Sequence, residues 1–578
     1  MTESPATLSA VLRSRCEEDP GKIAYRFIAD DLEETEVVTF GQLDGYGRAL
    51  GAALQQVADP GDRVIILATD GFDFVRAFVA CQYANMIAVP AYPPYPARSA
   101  QRVQTLRSIV NNCTPTVVLI AGAPAERAEI EAVVPELRAL HWVRIEEAGL
   151  DAADAFRPVP VRPADVSFLQ YTSGSTGDPK GVIITHDALL HNERLITSGA
   201  ALGPDDIGVS WLPLYHDMGL IGNLLGVIAS GTPGVFMSPM TFLHRPIRWL
   251  QAITRYGATI SGAPNFAYEL CLRRIRPEDR EGLELSSWKL AFSGAEPVRA
   301  STLDAFTAAY RPHGFDAAAW YACYGLAENT VMVSGADLPG RGPVRRRVSA
   351  AQLREGTLTA PDAEPDAVEI VGCGTARLHR ELAIVDPATL RRCPDGTIGE
   401  IWSAGPDVGA GYWDNPEETA HTFHARIADT GEGPFLRTGD LGAVLDGELF
   451  VTGRMKDLII VDGRNHYPAD LEETVDGAHE RIRPGGSIAF NFEVVGDERV
   501  AVVAEVTTRD PGELLRIERA IRGRVSAGHG LRVHEIVLVK PNSVPRTSSG
   551  KPRRRACRTA FQRGELKRLG VLDPATSV

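Results

Sequence analysis

Tyr171-Thr172-Ser173-Gly174-Ser175-Thr176-Gly177-Asp178-Pro179-Lys180-Gly181-Val182 is the stretch that decides how this chain is read. Hydroxyl residues alternate with glycines, and a lysine closes the run. An apolar segment, Val166 to Leu169, precedes it and reads as a strand. Glycines let the backbone turn tightly and bring its N–H groups close to a ligand. Such N–H groups, with hydroxyls and an ammonium, suit a polyphosphate. The spacing is not that of a Walker loop, because Pro179 stands before Lys180. The alternative is a solvated Ser/Gly linker, but linkers seldom end in Pro-Lys-Gly-Val-Ile-Ile.

Outward from this stretch, the chain has 578 residues, too many for one compact core, so two or more domains are expected. Hydrophobic residues make up 44% and charged residues 23%, an ordinary enzyme-like balance. A net charge of −14 argues against general nucleic-acid binding. Eight cysteines occur without any C-x-x-C pair, which fits reduced thiols and a cytoplasmic setting better than a zinc site or a disulfide scaffold. Residues 1–15 show no signal peptide. Met218 to His244 carries no formal charge, but Asn223, Ser230 and Gly231-Thr232-Pro233-Gly234 break it below the roughly 20 apolar residues of a membrane span. A buried helix, a turn and a short strand are expected there, and no transmembrane segment.

Short apolar runs alternate with helical periods. Val64 to Ala68, Ile87 to Val89 and Thr116 to Ile120 read as strands, and Phe72 to Tyr83 and Arg102 to Val110 as helices. Ile207 to Leu212, Gly234 to Met237, Thr259 to Ser261, Lys289 to Phe292 and Ala319 to Cys323 are further strands. This alternation indicates layered, parallel α/β structure.

Several strand ends carry distinctive residues, and strand ends are where ligands of open α/β sheets sit. Trp211-Leu212-Pro213-Leu214-Tyr215-His216-Asp217-Met218-Gly219 ends a strand in an aromatic and a histidine; taken alone, His216 reads as a core histidine. Ser293-Gly294-Ala295-Glu296-Pro297 and Tyr324-Gly325-Leu326-Ala327-Glu328-Asn329-Thr330 follow two other strands. A glycine beside an aromatic can offer backbone atoms and a flat face to a purine. Glu296 is either a surface carboxylate or a site contact. Arg437-Thr438-Gly439-Asp440-Leu441 leads into a hairpin with Asp446-Gly447 at its turn. Alone, Asp440 reads as a turn or cap residue, although two carboxylate oxygens match a cis-diol. Gly453-Arg454-Met455-Lys456-Asp457 separates two apolar runs and marks a boundary. Beyond it, Pro468 opens a helix, strands are expected near Ser487 to Glu493, Val500 to Val506 and Glu535 to Val539, and a helix near Glu513 to Arg524. Pro545-Arg546-Thr547-Ser548-Ser549-Gly550-Lys551 presents one lysine on a glycine-containing loop. The basic run after it is either a solvated tail or a surface for an acidic partner.

In this order, the motifs resemble the adenylate-forming superfamily of acyl-CoA synthetases, peptide-synthetase adenylation domains and luciferases. The resemblance covers nearly the whole chain. It implies a large N-terminal domain of several layered α/β subdomains, residues 1–454, and a small α+β C-terminal domain, residues 455–578, joined by a hinge at Lys456. It implies that Thr172, Ser173, Gly174, Ser175, Thr176, Gly177 and Lys180 meet the ATP phosphates, and that Gly294, Ala295, Tyr324 and Gly325 border the adenine. By the same resemblance, Glu328 holds Mg2+, Asp440 and Arg454 hold the ribose, and Lys551 bridges the carboxylate and the α-phosphate. His216, Asp217, Pro264 and Phe266 fall at the acyl pocket. Many relatives have threonine where Ala327 stands, so one phosphate contact is lost or replaced here.

The interval from Glu328 to Asp440 is longer than in typical acyl-CoA synthetases, with extra residues near 345–368. With Ser261-Gly262-Ala263-Pro264-Asn265-Phe266-Ala267 and Gly463 to Pro468, this resembles the fatty acyl-AMP ligases. The resemblance implies activation of a fatty acid by ATP and transfer to the phosphopantetheine arm of an acyl carrier protein domain. The insertion is expected to pack on the large domain and restrain its rotation against the small one. A fatty acyl-CoA ligase is the rival reading, and a non-catalytic nucleotide-binding partner protein a remote one.

Overall fold

The computed structural model describes residues 5–68, 71–94, 100–122, 124–172, 179–203, 205–336, 340–363, 366–461, 464–494, 497–546 and 552–569. Internal packing divides the chain into two units. The first comprises Met1–Val344, Val371–Ala383 and Trp402–Thr438; the second comprises Arg345–Ile370, Ile384–Ile401 and Gly439–Val578.

The first unit contains two sheets. A six-stranded sheet runs in the order His141–Arg144, Val117–Ile120, Arg63–Leu67, Ile87–Pro90, Val166–Thr172, Lys180–Thr185. Its pairings are parallel except the last, where Val166–Thr172 and Lys180–Thr185 run antiparallel. Strands such as Val117–Ile120 are buried throughout, as expected where helices cover both faces of a parallel sheet. Thr172 lies opposite Lys180, so the Ser/Gly run of residues 173–178 connects the ends of these two strands.

An eight-stranded sheet runs Met332–Gly335, Trp320–Gly325, Leu290–Ser293, Ile260–Ala263, Gly208–Ser210, Gly234–Met237, Ile23–Ile28, Glu34–Thr39. It is parallel inside and antiparallel at its two edges. Trp211, Phe242, Trp249, Tyr268, Trp288, Phe306 and Trp320 fill the core on one face, with Tyr268 and Trp320 edge to face at 4.7 Å between ring centres. The hairpin Ile23–Ile28 and Glu34–Thr39 lay outside the sequence reading. Glu34–Thr39 is an edge strand whose exposed residues leave little apolar alternation to read.

The uncharged stretch from Met218 forms a short helical turn, then a π-helical turn Leu220–Leu225, a helix Gly226–Ser230 and the strand Gly234–Met237. No helix among the described residues is long and apolar enough to cross a membrane.

In the second unit, Leu445 and Glu448 close a hairpin over Asp446 and Gly447, whose φ angles of 54° and 80° fit a two-residue turn. A three-stranded sheet, Ile482–Val494, Asp497–Val506 and Val533–Val539, carries helices Pro468–Asp476 and Pro511–His529 on one face and Arg554–Gln562 on the other. Alternate residues explain this: Val500, Val502 and Ala504 face one cluster, and Ala501 and Val503 the other.

The insertion packs within this second unit, whereas the sequence reading counted 345–368 with the large domain. Strand Arg345–Ser349 pairs with Ala367–Val371, and Ser349 caps the helix Ala350–Arg354. The amide of Leu358 donates to the carbonyl of Gly396, and that of Gly396 to the carbonyl of Val444, each at 2.7 Å. Backbone pairing therefore ties the insertion to the hairpin. Its helix also touches strand Arg464–His466.

Candidate active site

Tyr412 organises the residues nearest the antiparallel pair Val166–Thr172 and Lys180–Thr185. Its hydroxyl donates to Oε1 of Glu328 at 2.8 Å. Its ring lies 4.9 Å below the ammonium of Lys180, which also pairs with Glu418. The backbone explains the arrangement. Val182 bridges Tyr412, the amide of Ile183 donates to the carbonyl of Gly411, and the amide of Trp413 donates to the carbonyl of Gly181. Gly409 passes so close that a Cβ there would meet Val182 Cγ1 at 2.9 Å, and its amide donates to the Glu328 carbonyl at 2.9 Å. Burial, then the neighbouring Glu328 carboxylate, pushes the Tyr412 phenol well up from its ordinary range, so it stays a donor.

The structure thus brings Glu328 and Lys180 together around one tyrosine that sequence reasoning missed. Gly409-Ala410-Gly411-Tyr412-Trp413 was the available signal: glycines flanking aromatics mark a close backbone approach. Ser173, Gly174, Ser175, Thr176 and Gly177 lie outside the described residues.

The expected adenine border also converges. A Cβ on Gly294 would meet Cys323 Sγ at 2.7 Å, which sets the Gly294–Ala295 loop against the strand that ends in Tyr324. A Cβ on Gly325 would meet the Val331 carbonyl at 1.8 Å, so only glycine fits there. Ala295 takes a left-handed φ of 65°. Glu296, left open by the sequence, accepts from the amide of Phe266 at 2.6 Å. Phe266 belongs to the first turn of helix Asn265–Arg274, so Glu296 satisfies one of its free amides and ties the Gly294–Ala295 loop to the expected acyl pocket.

In that pocket region, Phe266 and Met218 pack beside Trp211, whose ring stacks on Phe242 at 3.9 Å. Pro264 is buried directly before the helix that carries Phe266. The carbonyl of His216 accepts from the amide of Leu220 at 2.7 Å, and Asp217 accepts from the amide of Met218 at 2.7 Å. A Cβ on Gly219 would meet the Pro213 carbonyl at 2.1 Å; glycine is what allows the chain to double back here.

Asp440, Arg454 and Lys456 belong to the second unit. Arg454 Nε donates to Asp440 Oδ1 at 3.1 Å. Gly439, with φ of 70°, donates its amide to the buried Glu400 at 3.1 Å, which fixes the backbone just before Asp440. Lys456 sits in the turn Met455–Asp457. Asp457 pairs with Arg554 at 3.1 Å, and Arg554 also pairs with buried Glu472 at 2.6 Å. Those carboxylates raise the Arg554 pKa against the opposing effect of burial. Lys551 lies outside the described residues. Among the described residues on either side, Arg546 bridges Pro552 and the amide of Arg553 donates to the Pro545 carbonyl at 2.9 Å.

A cation such as Mg2+ fits this donor set. Glu328 offers a hard carboxylate oxygen held by a phenol, as a Mg2+ ligand requires. Among the described residues, no group of three or more His, Cys, Asp or Glu could hold a metal alone.

The AMP-binding enzyme family model matches residues 12–413, and a model described as Disco-interacting protein 2-like, AMP domain, matches residues 456–570. The chain is 39% identical to medium-chain-fatty-acid–acyl-carrier-protein ligase JamA of Moorena producens, over 99% of this chain and 98% of that one. It is 35% identical to long-chain-fatty-acid–AMP ligase FadD26 of Mycobacterium marinum, over 99% of this chain and 100% of that one. Among solved structures, it resembles the fatty acyl-adenylate ligase from L. pneumophila in complex with acyl adenylate and pyrophosphate. That match has 38% identity and a TM-score of 0.76, covering 98% of this chain and 99% of the other. A further match, from work on the fatty acyl-adenylate ligases of E. coli and L. pneumophila, has 33% identity and a TM-score of 0.86, covering 97% and 98%. Likeness on this scale runs the length of both units, and the chain belongs to the AMP-binding enzyme family.

Proposed function

We propose that this enzyme activates a fatty acid with ATP to an acyl-AMP, releasing pyrophosphate, and then passes the acyl group to the phosphopantetheine thiol of an acyl carrier protein. The observation that carries this reading is the 39% identity, across 99% of the chain, to a protein named as a fatty-acid–acyl-carrier-protein ligase. The arrangement of Glu328, Tyr412 and Lys180 beside the phosphate-loop hairpin supports it.

In the first half-reaction, a carboxylate oxygen of the fatty acid forms a bond to the α-phosphorus, and the bond to the β-phosphate oxygen breaks. Pyrophosphate carries away the electron pair. Charge shifts among phosphate oxygens, so fixed cationic and N–H groups aimed at them lower the barrier. Lys180 and Lys551 supply ammonium groups, and residues 172–177 supply amides and hydroxyls. Mg2+, when held by Glu328, would screen the phosphate charge. Asp440 and Arg454 fix the ribose, while Gly294, Ala295, Tyr324 and Gly325 border the adenine. The acyl chain lies along Pro264 and Phe266, beside His216 and Asp217.

In the second half-reaction, the thiol sulfur bonds to the acyl carbonyl carbon, the bond from that carbon to the AMP phosphate oxygen breaks with its electron pair leaving on AMP, and the thiol proton passes to solvent. The small domain from residue 455 turns about Lys456 between the two steps. Packing of the insertion helix on strand Arg464–His466 supports a restraint on that turning. The same reading places the enzyme in the cytoplasm, consistent with eight free cysteines.

Exchange of labelled pyrophosphate into ATP, measured with a panel of fatty acids, tests the adenylation step. Exchange that depends on a fatty acid is the expected result; its absence with every medium- and long-chain acid contradicts the reading.

A further inference from the structure

Asn329 and Thr330 follow Glu328 and are fully buried. Thr330 has φ 63° and ψ −69°, a γ-turn conformation that β-branched residues rarely adopt. Strain of this kind persists only where the surroundings over-determine the backbone. Here they do. Thr330 Oγ1 donates to the Asp407 carbonyl at 2.6 Å. Asn192 donates to Asp407 Oδ2 at 2.7 Å and to the Met332 carbonyl at 2.8 Å, and accepts from the Met332 amide at 3.1 Å. Arg380 pairs with Asp407, and both side chains are only 1% exposed. Arg380 also donates to Asn329 Oδ1 at 2.6 Å and to Ser403 Oγ at 2.9 Å.

We propose that the buried Arg380–Asp407 pair, with Asn192, is a positioning device for Glu328. It holds the strained turn after Glu328, while Gly409 and Tyr412 hold Glu328 itself. The segment from Asp407 to Tyr412 therefore grips this residue from both ends. A buried ion pair is a poor source of stability, because desolvation opposes the attraction and apolar residues often serve as well. What the pair contributes here is geometry. Its guanidinium bonds Asn329 and Ser403 in fixed directions, which apolar side chains cannot do.

The proposal rests on the reading that Glu328 faces the substrate phosphates and their cation. The test uses the full-length enzyme and Mn2+ as the probe. Mn2+ binding in the presence of a non-hydrolysable ATP analogue is followed by electron paramagnetic resonance, beside pyrophosphate exchange. Three variants are compared: Glu328→Gln; Arg380→Met combined with Asp407→Leu, which removes both charges together; and Asn192→Ser, which leaves the Arg380–Asp407 pair in place and removes one hydrogen bond to it. The pair variant is expected to weaken Mn2+ binding by about tenfold, the usual scale for a partner behind a ligand, with the ATP KM nearly unchanged and kcat lowered. Asn192→Ser should shift both in the same direction by a smaller factor, and it decides the matter alone if the pair variant does not fold. Wild-type Mn2+ binding in the folded pair variant and in Asn192→Ser, with Glu328→Gln weakened, overturns the proposal and leaves the role of Glu328 standing. Unchanged Mn2+ binding in Glu328→Gln overturns the reading of Glu328, and the proposal with it.

Discussion

Asp440 and Arg454 face each other as register partners across a hairpin and are joined by the 3.1 Å bond from Arg454 Nε to Asp440 Oδ1. The Asp440 side chain is 9% exposed and that of Arg454 63% exposed, so the buried carboxylate is held by a cation that reaches into solvent. On the proposed reading, a ribose held here would keep the same contacts in the ground and transition states. Asp440→Ala should therefore raise the ATP KM by on the order of tenfold or more while changing kcat little. KM and kcat from pyrophosphate exchange check this; an equal fall in kcat and kcat/KM would place Asp440 in the chemical step instead.

Tyr412→Phe removes one hydroxyl and keeps the ring beneath Lys180. A hydrogen bond to a charged group contributes about 1.5–3 kcal/mol, so the adenylation rate should fall by roughly ten- to hundredfold. The ring remains packed against Phe423, and the melting temperature should move little. Comparing exchange rates with thermal denaturation separates the two effects. A large drop in melting temperature with an unchanged rate per folded molecule would make Tyr412 a core residue only.

His186 carries a pH-dependent contribution to stability. It is buried, accepts from the Leu8 amide at 3.4 Å, and burial pushes its pKa down from 6.5 to about 4. The unfolded chain then binds a proton below pH 6.5 that the folded chain refuses until about pH 4. Stability should be fully present above pH 6.5 and fall as the pH drops through this window, by at most about 3 kcal/mol from this group. His186→Leu should flatten the urea-unfolding free energy between pH 6.5 and 4 relative to wild type; an unaltered slope would show that other groups set the acid response.

Asp440 and Tyr412 also show what the sequence could and could not disclose. Helix Phe72–Tyr83 and strand Gly234–Met237 match the sequence reading residue for residue, because a predominantly apolar stretch of helical length and a short continuous apolar run, each beginning at a glycine turn signal, mark buried elements. The hairpin at Asp446-Gly447 was equally legible from its turn chemistry. Glu328 and Asp440 were singled out by resemblance to a family; alone, Asp440 read as a turn or cap residue, and the structure sets it within strand Leu436–Leu445. Tyr412 did not stand out, since its partner Glu328 lies 84 positions away and only the fold joins them. Arg380 and Asp407 were hidden for the same reason: an isolated charge in a sequence reads as surface, and only tertiary pairing shows it to be buried. The insertion's packing was also illegible, because it depends on backbone pairing with Gly396 and, through it, Val444 rather than on apolar pattern.

The account stands most directly on the identity of the products. The enzyme is incubated with ATP, Mg2+, a panel of fatty acids, CoA and a holo acyl carrier protein, and all acyl species are quantified by mass spectrometry. The account predicts acyl-AMP and acylated carrier protein, with acyl-CoA a minor product. Acyl-CoA formed at rates comparable with carrier-protein loading would contradict the acceptor assignment, and the absence of acyl-AMP with every fatty acid would contradict the central claim itself.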